Sequence, residues 1–189
     1  PFAGPERLSV AEAFLRHASI DLFASMDGQG NTDGAALAAQ MAALGMAVPD
    51  DTSWSYLFSR ILTEKVEPQL GLGRITILDR YPAAEAALAR RAGDDQRVSE
   101  RFELYACGVE LANGFGELTD ADEQRRRFSA EMAEKQRLYG ESYPIDEDFL
   151  AALALMPEAS GVALGFDRLV MLATAAPKIE AVLWAPVAE

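Results

Sequence analysis

Between residues 98 and 118 the chain adopts a two-residue hydrophobic period, and no other stretch limits the fold as severely. Phe102, Leu104 and Ala106 alternate with Arg101, Glu103 and Tyr105, the pattern of a strand with two chemically distinct faces. Cys107-Gly108 then offers a tight turn into a second strand, so the expected product is a long antiparallel hairpin. The first third of the chain reads as helices. Ser9-Val10-Ala11-Glu12 has capping-box form, and Val10, Phe14, Ala18 and Leu22 recur at helical spacing, which predicts a helix over 9–23. Leu37, Met41 and Leu44 mark a second helix ending at Gly45; Trp54, Leu57, Phe58, Ile61 and Leu62 mark a third ending before Pro68. Residues 74–78 are short and β-branched, and Pro82 suits the first turn of a brief helix to about Arg91. A helix from Asp120 to Gly140, a short one over 146–155 and a closing strand, helix and strand from Ser160 to Pro186 complete the reading. The expected class is α+β: an antiparallel sheet, built from the hairpin and the terminal strands, flanked by helices.

Charge and cysteine content exclude several functions. The chain has 189 residues, with 17 Lys and Arg against 30 Asp and Glu, a formal charge of −13. Binding to nucleic acid phosphates requires clustered cations, so a basic protein or a magnesium-nucleotide is the better-suited partner. One cysteine and one histidine permit neither an internal disulfide nor a Cys/His zinc site, and point to a reducing, cytoplasmic compartment. No apolar run reaches membrane-spanning length. Asp27 to Gly34 invites a calcium reading, but Thr32 stands where such a loop needs its turn glycine and no glutamate closes the frame; a solvated turn is expected. Cys107 is expected to be a buried strand residue and His17 a half-exposed packing residue. Pro1 in place of an initiator methionine suggests a fragment or a processed product.

Two segments carry the chemistry. In 108–118, Glu110, Asn113 and Glu117 stand in an otherwise apolar, glycine-rich strand, the composition of a groove floor that lets a ligand approach the backbone. Glu110 and Glu117 are seven apart, so an unbroken strand would point them to opposite faces. A bulge at Asn113-Gly114 would bring them together; alternatively, Asn113-Gly114 is merely a turn and both glutamates are solvated. In 161–172, small residues clear one strand face and the helix beginning near Phe166 carries Arg168 in its first turn, a permanently charged planar donor suited to polyphosphate. Arg125-Arg126-Arg127 would also suit phosphate, but Glu123 and Glu131 each lie four residues from Arg127, which favours a solvated, salt-laced helix face.

Taken together, the two segments resemble the catalytic domain of class II lysyl-tRNA synthetases. The similarity runs from Val98-Ser99-Glu100-Arg101-Phe102-Glu103 through Glu110-Leu111-Ala112-Asn113-Gly114-Phe115-Gly116-Glu117-Leu118-Thr119-Asp120 to Gln124 and Arg127-Phe128, and 161–172 looks like motif 3. It covers about 70–186. Within that group the chain is more similar to the lysyltransferase paralogues that modify elongation factor P: Leu111-Ala112 stands where tRNA-charging enzymes usually have Ile-Gly, Ala163 replaces the middle glycine of motif 3, and 81–86 lacks their Ser-Pro. The resemblance implies a partial class II synthetase-like domain, with 1–70 a helical insertion region and 71–189 the sheet and motif 3.

What the resemblance implies for function is ATP-dependent activation of lysine or β-lysine and transfer to a lysine of elongation factor P, with ATP and Mg2+ as cofactors. Glu110 would hold ATP through magnesium, with Leu111 contacting the nucleotide through its backbone. Gly165 would let adenine lie close, and Arg168, the catalytic residue, would stack on adenine or hold the γ-phosphate. Glu117 would receive the substrate's side-chain ammonium, Asn113 would orient its α-region, Phe115 would wall its stem, and Ala163 would reshape the pocket floor toward β-lysine. Motifs 1 and 2 are not recognisable in 1–70, so the polypeptide is expected to be a C-terminal part that alone forms no adenylate, and the full-length protein a homodimer. A lysyl-tRNA synthetase core and a non-catalytic interaction module are the alternatives.

Overall fold

The computed structural model describes residues 4–50 and 52–185. Its centre is a five-stranded sheet in the order β1 to β5: β1 Glu6–Ser9, β2 Thr76–Asp79, β3 Arg101–Ala106, β4 Val109–Gly116 and β5 Ser160–Leu164. The hairpin is present, and Cys107 and Gly108 both take positive φ, 54° and 74°, the geometry that two-residue turns between twisted strands require. Cys107 therefore sits exposed at a turn, not buried in a strand as expected. The sheet is mixed and not wholly antiparallel, because β1 runs parallel to β2. That strand lies within the first 70 residues, where only helices were expected; four residues are too few for alternation to show.

Helices α1 Val10–Ala18, α2 Gly34–Ala43 and α3 Trp54–Ile61 pack on one end of the sheet. Ser9 closes the predicted capping box with Glu12, but α1 stops at Ala18, with Ser19 left-handed at φ 57°. Leu22 belongs to a separate 3-10 turn in which the Asp21 side chain accepts the Ala24 N–H. Phe14, Phe58 and Trp54 stack at centroid distances of 5.0 and 5.3 Å, and the indole N–H of Trp54 donates to Ser25 at 2.9 Å. Each buried side chain of this size contributes about 1.5–3 kcal/mol, so the helical layer, with Leu8, Leu78 and Tyr105 beneath it, is where the core lies. The brief helix expected after Pro82 is only a 3-10 turn, Ala83–Glu85. The turn at 27–34 is a local one: Asp27 accepts from the amides of Gln29 and Asn31 at 2.8 and 2.9 Å.

The C-terminal half adds α4 Ala121–Tyr139, α5 Glu147–Leu153 and α6 Phe166–Ala173. Asp120 caps α4 and Gly140, at φ 68°, ends it, as their residue types prescribe. Arg125 and Arg126 lie on a solvated face, whereas Arg127 is 10% exposed and points inward, contrary to expectation. In place of the final strand expected before Pro186 there is a 3-10 turn, Ile179–Ala181; Pro186 itself lies outside the described residues. No described helix is long and apolar enough to cross a membrane.

Gly71 joins the helical layer to the sheet at φ 72°, and a Cβ there would stand 2.8 Å from the Tyr105 and Ala106 backbone. Gly45 has a similar φ, 71°, with open space around it. Gly45→Ala should therefore cost about 1 kcal/mol for the left-handed backbone alone. Gly71→Ala should cost at least about 3 kcal/mol, because β3 must also move. Equal midpoints in thermal denaturation would contradict this assignment.

Candidate active site

Residues paired directly across strands send their side chains to the same face. Leu8, Leu78, Glu103, Asn113 and Ala163 therefore form one row across all five strands. Thr76, Tyr105 and Glu110 form a neighbouring row, and Arg101, Phe115 and Gly161 a third. The helical core covers the Leu8 and Leu78 end of this face; the other end carries the candidate site.

Pairing steps from Leu104–Ala112 to Tyr105–Glu110, so Leu111 is the extra residue of a β-bulge. It rotates Glu110 onto the face of Asn113, Phe115 and Ala163. The bulge is thus real but sits at Leu111, not at Asn113-Gly114, which lies in mid-strand and is no turn. Gly114 is there for space: a Cβ would lie 2.8 Å from the Phe102 ring and 2.9 Å from the Gly161 carbonyl.

The bulge also organises the start of α6. The Leu111 carbonyl accepts the Gly165 N–H at 2.8 Å, and the Leu111 side chain is buried. The Arg168 stem lies over Gly165, its Cδ 3.3 Å from where a Cβ would be. Arg168 Nη1 donates to both the backbone oxygen and Oε2 of Glu110, each at 2.9 Å. Both side chains are partly exposed, 45% and 33%. An exposed pair of this kind is worth about 0–1 kcal/mol, so Arg168 can exchange Glu110 for a stronger anion at small cost. Glu117 stands past the other end of β4. Its N–H donates to Ala159 at 3.0 Å, its backbone bridges to Ala89, and its Oε1 lies 3.3 Å from where a Cβ on Gly161 would be.

Between these ends lies a group that sequence reasoning missed. Glu103, 6% exposed, accepts from Tyr81 and Tyr105 on Oε2 at 2.5 and 2.6 Å. Its Oε1 accepts from Arg101 at 2.7 Å and from the Asn113 amide at 3.3 Å. Arg101 also donates to the Glu85 carbonyl at 2.6 Å and lies 4.3 Å from the Tyr81 ring centroid. Burying a carboxylate is costly unless hydrogen-bond donors surround it, as they do here. The available signal was parity: Glu103 shares the strand face of Tyr105, and an acid beside a core aromatic is not a solvated acid. Glu67 was missed because it stands in a 3-10 turn. It approaches the Tyr105 hydroxyl at 3.5 Å, and burial, together with the charges of Glu103 and Glu110, pushes its carboxyl upward.

Arg101, Asn113 and Phe115 form one side of a cavity of about 300 Å³ whose other side is residues 85–89. A larger hollow of about 390 Å³, lined by Arg7, Ile77 and Phe102 among others, reaches the opposite face of the sheet and touches none of the expected site residues. His17 is half-buried on α1, its pKa pushed down by burial and by Arg16, and Cys107 is exposed on the hairpin turn. Among the described residues no group of three His, Cys, Asp or Glu side chains could hold a metal ion.

The family model for class II tRNA synthetases (D, K and N) matches residues 59–189. Similar proteins include the elongation factor P–(R)-β-lysine ligase of Pectobacterium atrosepticum, 44% identical over 181 residues, which are 94% of this chain and 54% of that protein. The protein of the same name from Proteus mirabilis is 44% identical over 185 residues, 96% of this chain and 55% of the relative. That from Haemophilus influenzae is 51% identical over 134 residues, 70% and 40% of the two chains. The chain spans about half the length of the first two of these curated relatives.

Burial, reinforced by the Glu103 charge and hydrogen bonds, pushes the Tyr81 and Tyr105 hydroxyls far above their ordinary range. A pKa raised on folding gives stability that is complete below the unfolded value, about 10, and is lost as pH rises above it. Stability should therefore fall above about pH 10, with the absorbance change of these two tyrosines appearing only as the chain unfolds. Tyr105→Phe should remove one tyrosine from that step. Ionisation of all five tyrosines in the folded protein would overturn the network.

Proposed function

The chain belongs to the class II tRNA synthetases of the D, K and N type, and from that premise we propose that it supplies the motif 3 half of a ligase site that activates a lysine-like amino acid with ATP and passes it to elongation factor P. The observation that carries this reading is the bulge at Leu111, which sets Glu110, Asn113 and Ala163 on one sheet face with Arg168 folded over Gly165. The relatives' printed name supports the acceptor and the β-lysine substrate.

In this reading Glu117 receives the substrate's side-chain ammonium, Phe115 walls its aliphatic stem, and Asn113 orients the end bearing the carboxylate. Ala163, directly across the ladder from Asn113, adds a methyl to the floor that favours β-lysine. Arg168 leaves Glu110 to hold the nucleotide, while Leu111 offers its backbone and Gly165 the space beside adenine. The carboxylate oxygen attacks the α-phosphorus; the bond to the bridging oxygen breaks and pyrophosphate leaves. The acceptor lysine amine then attacks the acyl carbon, loses its proton, and displaces AMP. Alignment and charge stabilisation suffice for both displacements, which suits a site with neither cysteine nor histidine. Magnesium, when bound, would neutralise developing phosphate charge. One carboxylate, Glu110, fits a cation that arrives with nucleotide phosphates and water and does not fit a resident protein-held metal. The surplus of acid over base favours a protein acceptor over tRNA, and the unpaired Cys107 suits a reducing, cytoplasmic setting. Homodimerisation of the full-length protein belongs to the same proposal.

The full-length gene product should catalyse ATP–pyrophosphate exchange with β-lysine and with lysine, favouring the former. Glu117→Gln should raise the amino-acid KM about 10- to 100-fold, the worth of a charge-assisted hydrogen bond, with the ATP KM little changed. Ala163→Gly should shift preference toward lysine. Exchange with lysine alone, together with tRNA charging, would establish the synthetase reading; no exchange with either amino acid would leave an interaction module.

A further inference from the structure

The wall opposite Asn113 and Phe115 has no regular structure of its own. Residues 85–89 follow a single 3-10 turn, yet they close the 300 Å³ cavity and bridge through Ala89 to Glu117. Two further backbone bonds join this segment to the end of β4: Arg90 N–H to the Gly116 carbonyl at 2.8 Å, and Leu118 N–H to the Leu88 carbonyl at 2.9 Å. A segment that is neither helix nor strand must satisfy its carbonyls elsewhere. Here side chains do so, and most come from α4.

Arg127 Nη1 donates to the carbonyls of Ala86, Ala87 and Ala89 at 2.7, 3.3 and 2.9 Å. One turn earlier, Gln124, 1% exposed, donates to the Ala87 carbonyl at 3.2 Å. The guanidinium is itself aimed by Glu123, which accepts from Arg127 Nε at 3.0 Å and also pairs with Arg91 and Arg126. Burial acts to raise the Glu123 carboxyl, but these arginines outweigh it and hold it at about 2. It is therefore ionised throughout the physiological range.

We infer that Arg127, assisted by Gln124, is a positioning residue for the amino-acid end of the site, clamping the 86–89 carbonyls so that the cavity wall and Glu117 keep their places. The inference rests on the proposed function for its substrate, but its geometry stands apart from it. No atom of Arg127 reaches Glu110 or Arg168 through these contacts, so its effect should be confined to one substrate. Lysine in its place keeps the charge but loses the planar multi-donor head.

The decisive variant is Arg127→Lys in the full-length gene product, beside Arg126→Lys, which alters an exposed neighbour on the same helix. In pyrophosphate exchange, Arg127→Lys should raise the β-lysine KM about tenfold, leaving the ATP KM and kcat within about twofold, a selective loss of ground-state binding. Hydrogen exchange should quicken at the Arg90 and Leu118 amides and stay unchanged at Asn113 and Phe115 in the centre of β4. Arg126→Lys should do neither. Equal changes in both KM values, or Arg90 and Leu118 amides as protected as in the parent, would overturn the clamp. A parent protein silent toward every amino acid would overturn the functional reading, and the amide exchange would still decide the clamp.

Discussion

A single extra residue in β4 decides what this sheet can do. Were the strand regular, Glu110 would share the face of Ala112 and Gly114, away from Asn113 and Phe115, and the acids at its two ends would serve different surfaces. Leu111 absorbs the mismatch, and the unpaired carbonyl that a bulge leaves behind is taken by the Gly165 N–H. That one bond joins the bulge to the start of α6 and so fixes where Arg168 begins. The acid and the guanidinium are brought together by the same irregularity, and neither position could shift by one residue without losing the other.

Two Arg–Glu pairs lie on this face, and their burial gives them opposite roles. Arg101 and Glu103 are 21% and 8% exposed, with tyrosine and amide donors completing the carboxylate. Removing one partner of such a pair leaves an uncompensated buried charge, a loss of about 3–5 kcal/mol, so the pair acts as a fixed template that holds the Asn113 amide in one orientation. Arg168 and Glu110 face solvent, where their attraction is small and readily exchanged. The proposed site for a transient polyanion would use both kinds: a rigid floor, and a cation already near its working position but held weakly.

The hairpin, the caps at Ser9, Asp120 and Gly140, and the residues of the two chemical segments were legible in the sequence because each depends on local chemistry: period, turn dipeptides, side-chain caps. The α+β class followed from them. What was not legible depends on partners remote in the chain. β1 is a strand only because β2 lies 70 residues away to pair with it. The site of the bulge depends on which residue of β3 faces which residue of β4, and on the close approach of Phe102 and Gly161 that requires Gly114 to remain in the ladder. Arg127 has a glutamate four residues before it and another four after, and so matches a solvated helix face; only the fold reveals that a stretch of bare carbonyls passes beneath it.

The two ends of the face share β5 but differ in their other supports. At the Glu110 end, β5 and α6 are continuous and bond directly to the bulge. At the Glu117 end, the supports are the start of β5, where Ala159 accepts the Glu117 N–H, together with residues 85–91 and the first turns of α4, with no bond among those described to α6. Seven residues of strand place the two glutamates roughly 20 Å apart, beyond the distance at which substitutions ordinarily couple. Besides the β5 ladder, the Glu103 network spans much of the gap, reaching Asn113 at the centre and Tyr105 beside Glu110. A chain built this way can alter the groups proposed to contact an amino acid, Ala163 or the wall at 85–89, without disturbing the arginine at the other end. The residues that cannot vary independently are those of the buried network, since Glu103 answers to both halves at once.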